Sequence, residues 1–483
     1  MTRFEETLDP ENWDDYRLLG HQMLDDMFDY LQNIRDEPCF QLIPEKTLTE
    51  LDEPLPKKPQ GATQTYEDFK KYVYGSKQTF IAHPRYWGWV NGTGTPMGML
   101  ADMLAAGTNN TSETAYQMTY QIEMKVLDWF KEMLNYPKES SGILVSGCSM
   151  ANLTALTVAR NKATSHTVRE EGLIGYTKKL TLYCSEQVHD CIYKNMEILG
   201  LGKKSVRKIP VDSNYRMQIP LLEKQINEDR RAGFTPFCVV GTAGSVNTGA
   251  IDDLEAISRV CKDEDLWFHV DAAFGAWAML SETHRDKVKG LGLADSVAVD
   301  LHKWMYMPYG IGFALVRSRV DHLNTFSMQP PYLGTDEVMD YWLSDLTPEL
   351  SRGFRALKAW MMIKEQGADK FGRLIQQNID QANYFGELVS DSPKLELSSP
   401  VSLNVVCFRY VPDGLSEEQL EELNTRIGYG VSFSGVAVYS STRLHGTYVQ
   451  RMAITNHRTT KEDLDLVFSE IIKQGDTIVK EYR

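Results

Sequence analysis

Apolar residues in the first eighty positions recur at helical spacing. Tyr16, Leu19, Met23, Met27, Tyr30 (or Leu31) and Ile34 step by three or four, which predicts one amphipathic helix, and residues 66–74 predict a second, shorter one. Between them lies a proline-rich stretch, 44–59, with Pro54, Pro56 and Pro59. Helices joined by extended linkers make a poor core of their own, so residues 1–82 are expected to pack on the main body or on a second copy of the chain. From about residue 83 the texture changes to short apolar runs without alternation: 143–145, 180–184, 237–240, 267–270, 296–299 and 312–316. Strands covered on both faces need such runs, and the helical patterns between them imply βαβ crossovers. The expectation for 83–369 is an α/β domain around a mostly parallel sheet, closing with a helix over 351–367. Residues 370–483 read as a small α+β domain, with strands at 402–410 and 449–454 and a last helix capped by Thr459 with Glu462.

Composition narrows the partners. In 483 residues, 51 Lys+Arg face 66 Asp+Glu, a formal charge of −15, which lacks the basic footprint of a nucleic-acid binder. The acidic N-terminus lacks the apolar core of a signal peptide, and no run approaches a membrane span. Seven cysteines without a C-x-x-C pair suggest neither a disulfide framework nor a zinc site. A cytoplasmic chain is expected, with no metal.

No dinucleotide, P-loop, nucleophile-elbow or zincin motif occurs. Polar residues instead gather where open α/β sheets hold ligands, at the carboxyl ends of the predicted strands. Strand 267–270 runs into Asp271-Ala272-Ala273, and strand 296–299 into Asp300-Leu301-His302-Lys303-Trp304. Strand 143–145 runs into Ser146-Gly147-Cys148-Ser149 before a helix, and strand 180–184 into a turn carrying His189. Singly, a strand-end Asp is a helix cap and a Lys after a strand is a surface residue. Jointly, Asp271 and Lys303 lie 32 residues apart, about one βαβ unit. Pyridoxal phosphate gives each residue a task. Lys303 would carry it as a Schiff base, Asp271 would keep the pyridine nitrogen protonated, His189 would stack on the ring, and Ala273 would let the other face approach. The Ser146–Ser149 turn at a helix N-terminus suits the phosphate.

These residues resemble the signature of the group II pyridoxal phosphate-dependent decarboxylases: His269-Val270-Asp271-Ala272-Ala273, Asp295-Ser296 and His302-Lys303-Trp304, supported by His83-Pro84, 146–152, 183–189, 241–249 and 351–360. Within that family the chain is most similar to the aromatic L-amino acid decarboxylases. The resemblance implies the fold-type-I aminotransferase architecture, a homodimer that swaps its N-terminal segment, and release of an aromatic amine and CO2. It implies Cys148, Ser149, His302 and Ser296 at the phosphate, and Trp89, Val90, Asn91, His302 and Ser351 beside the substrate. It makes 328–345 a mobile catalytic loop in which Tyr332 returns a proton to Cα; relatives with Phe there tend to form aldehydes. An aldehyde synthase, another amino acid decarboxylase and a non-enzymatic interaction module of the same fold are the alternatives. Two positions depart from the pattern. Asp300 stands where many members have Asn, and a carboxylate there repels a phosphate unless it is paired or turned away. Val246 stands where animal members have a hydroxyl, so another donor, Ser245 or Thr242, is expected to orient Asp271.

Overall fold

A computed structural model describes residues 6–75, 81–112, 116–328 and 342–482. Its centre is a seven-stranded sheet. After a short strand β1 (Tyr86–Trp87), which belongs elsewhere, come β2 (Ser141–Val145), β3 (Lys179–Ser185), β4 (Val206–Ile209), β5 (Phe234–Thr242), β6 (Trp267–Asp271), β7 (Ser296–Asp300) and β8 (Gly312–Val316). They lie in the order β2-β8-β7-β6-β5-β3-β4. All the expected runs are strands, and β7-β6-β5-β3-β4 are parallel; β8 alone runs antiparallel to both its neighbours. Every residue of β2, β6, β7 and β8 is buried, as apolar runs covered by helices on both faces demand. The register brings Thr242 beside Asp271 and Asp271 beside Ala298, so one edge collects the carboxyl ends of β5, β6 and β7.

A second sheet, β1-β11-β12-β10-β9, contains β9 (Leu395–Leu397), β10 (Val405–Tyr410), β11 (Val438–Leu444) and β12 (Thr447–Ala453). The expected C-terminal strands are present, but β1 pairs in parallel with Val438–Tyr439. The segment expected to open the α/β domain is thus built into the C-terminal sheet.

Three local expectations are corrected. The last helix, Lys461–Ile478, is capped by Thr460 with Asp463, one residue later than expected. The Thr459 hydroxyl is already engaged, accepting from Trp87 Nε1 at 3.0 Å and donating to the Pro84 carbonyl at 2.6 Å. The helix expected from Ser351 begins at Ala356, because Gly353 bridges to Thr111 and Arg352 is tied down beside it. The proline-rich stretch holds a short helix, Glu45–Leu51, begun at Pro44. The N-terminal helix Trp13–Asn33 buries none of its side chains fully and leaves Trp13, Tyr16, Leu18, Met23 and Phe28 exposed. No described helix is long and apolar enough to cross a membrane.

Candidate active site

A cavity of about 440 Å³ opens at the carboxyl edge of the large sheet. Lys303, Asp271, Ala273, His189, Cys148, Ser149, His302, Trp89 and Val90 all line it, together with Asp300, Thr242 and Val246. The fold assembles it by short, specific contacts. Lys303 follows β7 in a turn whose Trp304 and Tyr306 are buried and both donate to Asn378 Oδ1, at 3.0 and 2.8 Å. Gly92 lies against the lysine turn: its N–H donates to the His302 carbonyl at 3.1 Å, and a Cβ there would stand 2.2 Å from the Lys303 carbonyl oxygen. That close approach brings Trp89 and Val90 to the cavity. Trp89 takes a left-handed φ of 51°, held by Ser440 Oγ on its N–H and Arg451 on its carbonyl.

Electrostatics centre on Asp300. Its Oδ2 meets Lys303 Nζ at 2.9 Å, and its Oδ1 accepts from the Cys148 N–H at 2.6 Å, the first amide of the helix Cys148–Ala163. A Cβ on Gly312 would collide with Asp300 Oδ1 at 2.9 Å and the Val299 carbonyl at 2.8 Å, so only glycine lets β8 lie this close. Burial opposes the Lys303 charge, but the Asp300 carboxylate, backed by Cys148 and Asp271, prevails and holds its pKa above the ordinary lysine range. Burial pushes the His302 pKa down, against the pull of Asp300. Its Nδ1 lies 2.8 Å from the Ile311 carbonyl and its ring 4.4 Å from that of Tyr309. The carboxylate at position 300 is therefore paired, by a lysine and a backbone amide.

Asp271 takes Asn152 Nδ2 on Oδ2 at 3.2 Å, and Cys148 Sγ and the Ala273 N–H on Oδ1 at 3.5 and 3.3 Å. Neither expected substitute for the missing hydroxyl at 246 serves. Ser245 Oγ pairs with Thr248 at 2.9 Å, and Thr242 Oγ1 has no hydrogen-bond partner among the described residues.

Other expectations sort as follows. Ser296 does not join the phosphate group. It is fully buried at the amino end of β7, about 13 Å of strand from the carboxyl edge, and its Oγ serves Trp267 Nε1 and His269 Nδ1, each at 2.8 Å. Asn91 does not line the cavity; its Nδ2 donates to the Gly88 carbonyl and its Oδ1 accepts from the Tyr309 hydroxyl. Ser351 is exposed and does not line the cavity. Tyr332 and most of the 328–345 loop lie outside the described residues. Asn152 and His269 were missed as site residues. A signal existed: Asn152 stands four residues after Cys148 on one helix face, and His269 two before Asp271 on one strand face.

Residues 44–411 match the family model described as the pyridoxal-dependent decarboxylase conserved domain. The chain belongs to that family. It is 33% identical to an aromatic-L-amino-acid decarboxylase of Bacillus atrophaeus over 465 residues, 95% of each chain. Among solved structures, that of Oryza sativa TDC with PLP and tryptamine matches at TM-score 0.90 and 24% identity, covering 98% of this chain and all of that one. A Rhodiola rosea 4-hydroxyphenylacetaldehyde synthase matches at TM-score 0.88 and 25% identity, covering 98% and 100%.

The decarboxylase's cofactor is pyridoxal 5′-phosphate, and the cavity suits it. A lysine, a carboxylate, an imidazole and a helix N-terminus converge there, with an orphaned buried hydroxyl on Thr242. The turn before that helix also leaves no room to spare: a Cβ on Gly147 would stand 3.1 Å from His302 Cε1.

Proposed function

We propose that this decarboxylase removes the α-carboxylate of an aromatic L-amino acid as CO2 and releases the corresponding amine. The observation that carries the reading is the convergence of Lys303, Asp271, His189, Ala273 and His302 on one cavity at the sheet's carboxyl edge. Relatives over nearly the whole chain support the aromatic class. Bound there, pyridoxal phosphate supplies an electron sink for the bond that breaks at Cα. Lys303 would hold it covalently, Asp271 would serve its ring nitrogen, and His189 and Ala273 would border its ring. The helix N-terminus at Cys148 and Ser149 would receive its phosphate, and His302 would orient the substrate carboxylate. Trp89 and Val90 would border the substrate side chain. Tyr332 delivers the proton to Cα.

The chain works as a homodimer in the cytoplasm on this reading. An apolar groove lined by Tyr16, Met23, Met27, Pro59, Tyr66 and Phe69 supports a second copy packing on the N-terminal segment, and seven unpaired cysteines support a reducing compartment. Light scattering checks the first: an active monomer at micromolar concentration contradicts it.

The reaction is tested with a panel of L-amino acids, reading amine, CO2, aldehyde and peroxide together. Amine and CO2 from aromatic substrates are expected, and borohydride should fix the cofactor to Lys303 alone. Tyr332→Phe should lower amine and raise aldehyde and peroxide. The aldehyde synthase reading, favoured by the Rhodiola rosea neighbour, requires aldehyde and peroxide from the unaltered enzyme. Turnover of acidic amino acids only would refute the aromatic reading and leave the cofactor reading standing.

A further inference from the structure

A chain of buried hydrogen bonds runs from Asp271 along one face of the sheet toward the amino end of β6. Asn152 donates Nδ2–H to Asp271 Oδ2 at 3.2 Å. Asn152 Oδ1 lies 2.7 Å from His269 Nε2, His269 Nδ1 lies 2.8 Å from Ser296 Oγ, and Trp267 Nε1 lies 2.8 Å from the same oxygen. Asn152, His269 and Ser296 have no solvent exposure. The positions follow from the strand period: Trp267, His269 and Asp271 share one face of β6, and Ser296 is paired with His269 in the register.

The direction of every bond is set from one end. An ionised carboxylate only accepts, so Asp271 draws the NH2 of Asn152 and turns Asn152 Oδ1 toward His269. The imidazole proton then sits on Nε2 and points at Asn152 Oδ1, which leaves Nδ1 to accept from the Ser296 hydroxyl, while Ser296 Oγ accepts from Trp267 Nε1. Reversing any link sets two acceptors face to face: the other histidine tautomer puts a bare Nε2 against Oδ1, and a flipped amide puts its oxygen against a carboxylate. Buried groups without partners are costly, about 1–3 kcal/mol each, so the polarised arrangement is strongly preferred. Burial also pushes the His269 pKa down to about 4, which keeps the ring neutral and the tautomer meaningful.

We propose that Trp267, Ser296, His269 and Asn152 form a positioning relay that fixes the Asp271 carboxylate toward the cofactor's ring nitrogen, in place of a hydroxyl at position 246. Val246 borders the cavity and offers no donor, while Ser245 and Thr242 give Asp271 no hydrogen bond in the structure. The relay rests on the reading that Asp271 faces that nitrogen. Trp267, Ser296 and His269 do not line the cavity and act only through Asn152 and Asp271, while Asn152 lines it and bonds Asp271 directly.

Two measurements test it. In the unaltered enzyme labelled with 15N-histidine, His269 should be neutral with its proton on Nε2 from pH 6 to 8, with or without cofactor. An Nδ1–H tautomer or an imidazolium overturns the relay, and this readout needs no variant to fold. In Asn152→Leu and Ser296→Ala holoenzymes carrying pyridoxal phosphate labelled with 15N in the ring, the nitrogen should lose its proton at a pH at least one unit lower than in the parent. Cofactor affinity should fall about tenfold or more in Asn152→Leu. A folded Asn152→Leu enzyme whose ring nitrogen titrates as in the parent also overturns it. If the parent takes up no cofactor at Lys303, the reading of the site fails instead; the His269 tautomer still reports on the relay separately.

Discussion

Replacing Asp300 with Asn should change how fast Lys303 captures its cofactor, and in which direction follows from the geometry. The amide keeps an acceptor for the Cys148 N–H, 2.6 Å away, and removes only the charge 2.9 Å from Lys303 Nζ. Unit charges at that separation attract by about 6 kcal/mol at an effective dielectric of about 20. Each 1.4 kcal/mol or so changes the uncharged fraction of an amine tenfold. Even half the attraction gives about two decades. In the parent, burial of the ammonium is overcome by Asp300, with Cys148 and Asp271 behind it, so Lys303 is held charged. Without Asp300, burial faces only the weaker pull of Cys148 and Asp271, and the uncharged fraction of the amine at neutral pH rises by about those two decades. Only the free amine attacks an aldehyde. Apoenzyme mixed with pyridoxal phosphate in a stopped-flow spectrophotometer should therefore bind it covalently at least 100-fold faster at pH 7 in Asp300→Asn. The parent rate should climb about tenfold per pH unit toward pH 9, while the variant levels off earlier. Affinity should also rise, because a carboxylate no longer faces the phosphate. Superimposable rate profiles would refute the assignment of Asp300 as the group that holds the lysine charged.

The sequence made the scaffold legible because its strands are buried on both faces. Continuous apolar runs mark such strands directly, and their downstream ends then locate Asp271 and Lys303 without any knowledge of side-chain packing. What stayed hidden depends on partners far along the chain. The Thr459 hydroxyl has a capping position by spacing, but Trp87 and Pro84, more than 370 residues away, claim it. β1 joins the C-terminal sheet through Val438, a pairing that no local pattern signals. Ser296 shares its strand with Asp300, and the family resemblance implied a place for it at the phosphate. Strand geometry forbids it: four residues carry the chain from one edge of the sheet to the other. The two departures from the family pattern have a common explanation in the structure. Asp300 is tolerated because Lys303 and the Cys148 amide engage it, and Val246 is tolerated because Asn152 and Cys148 bond Asp271 instead. Both compensations use the first turn and a half of one helix, Cys148–Asn152.

Two further predictions concern stability. Arg352 and Glu123 form a fully buried pair at 2.6 Å, with Arg352 also on the Leu144 and Ser112 carbonyls and Glu123 on the Leu144 N–H. Arg352→Met should destabilise by about 3–5 kcal/mol by leaving Glu123 charged and alone, and adding Glu123→Gln should restore much of it; urea denaturation of the four proteins checks this, and additive losses would refute the coupling. Acid should unfold the protein well above the carboxylate range. Burial lowers the pKa of His83, His269, His322 and His457 to about 4. A depressed folded-state pKa means that the unfolded chain binds the proton first, so the stabilisation is present above about pH 6.5 and is lost as pH falls toward 4. Asp252, raised to about 6 by burial, works the opposite way and offsets one of the four. The remaining three protons give a slope of about 4 kcal/mol per pH unit near pH 5. Starting from about pH 6.5, that slope removes about 5 kcal/mol by about pH 5.2 and about 10 kcal/mol by about pH 4, so a protein at the lower end of the typical stability of about 5–15 kcal/mol unfolds about two units below neutral. His322, held between Ser141 Oγ at 2.7 Å and the Leu346 carbonyl at 2.8 Å, is the cleanest single test. His322→Gln should lower stability at pH 7 and flatten its fall between pH 6.5 and 4.5 by about a third. A urea midpoint that stays level or rises over that range in the unaltered protein would refute the argument.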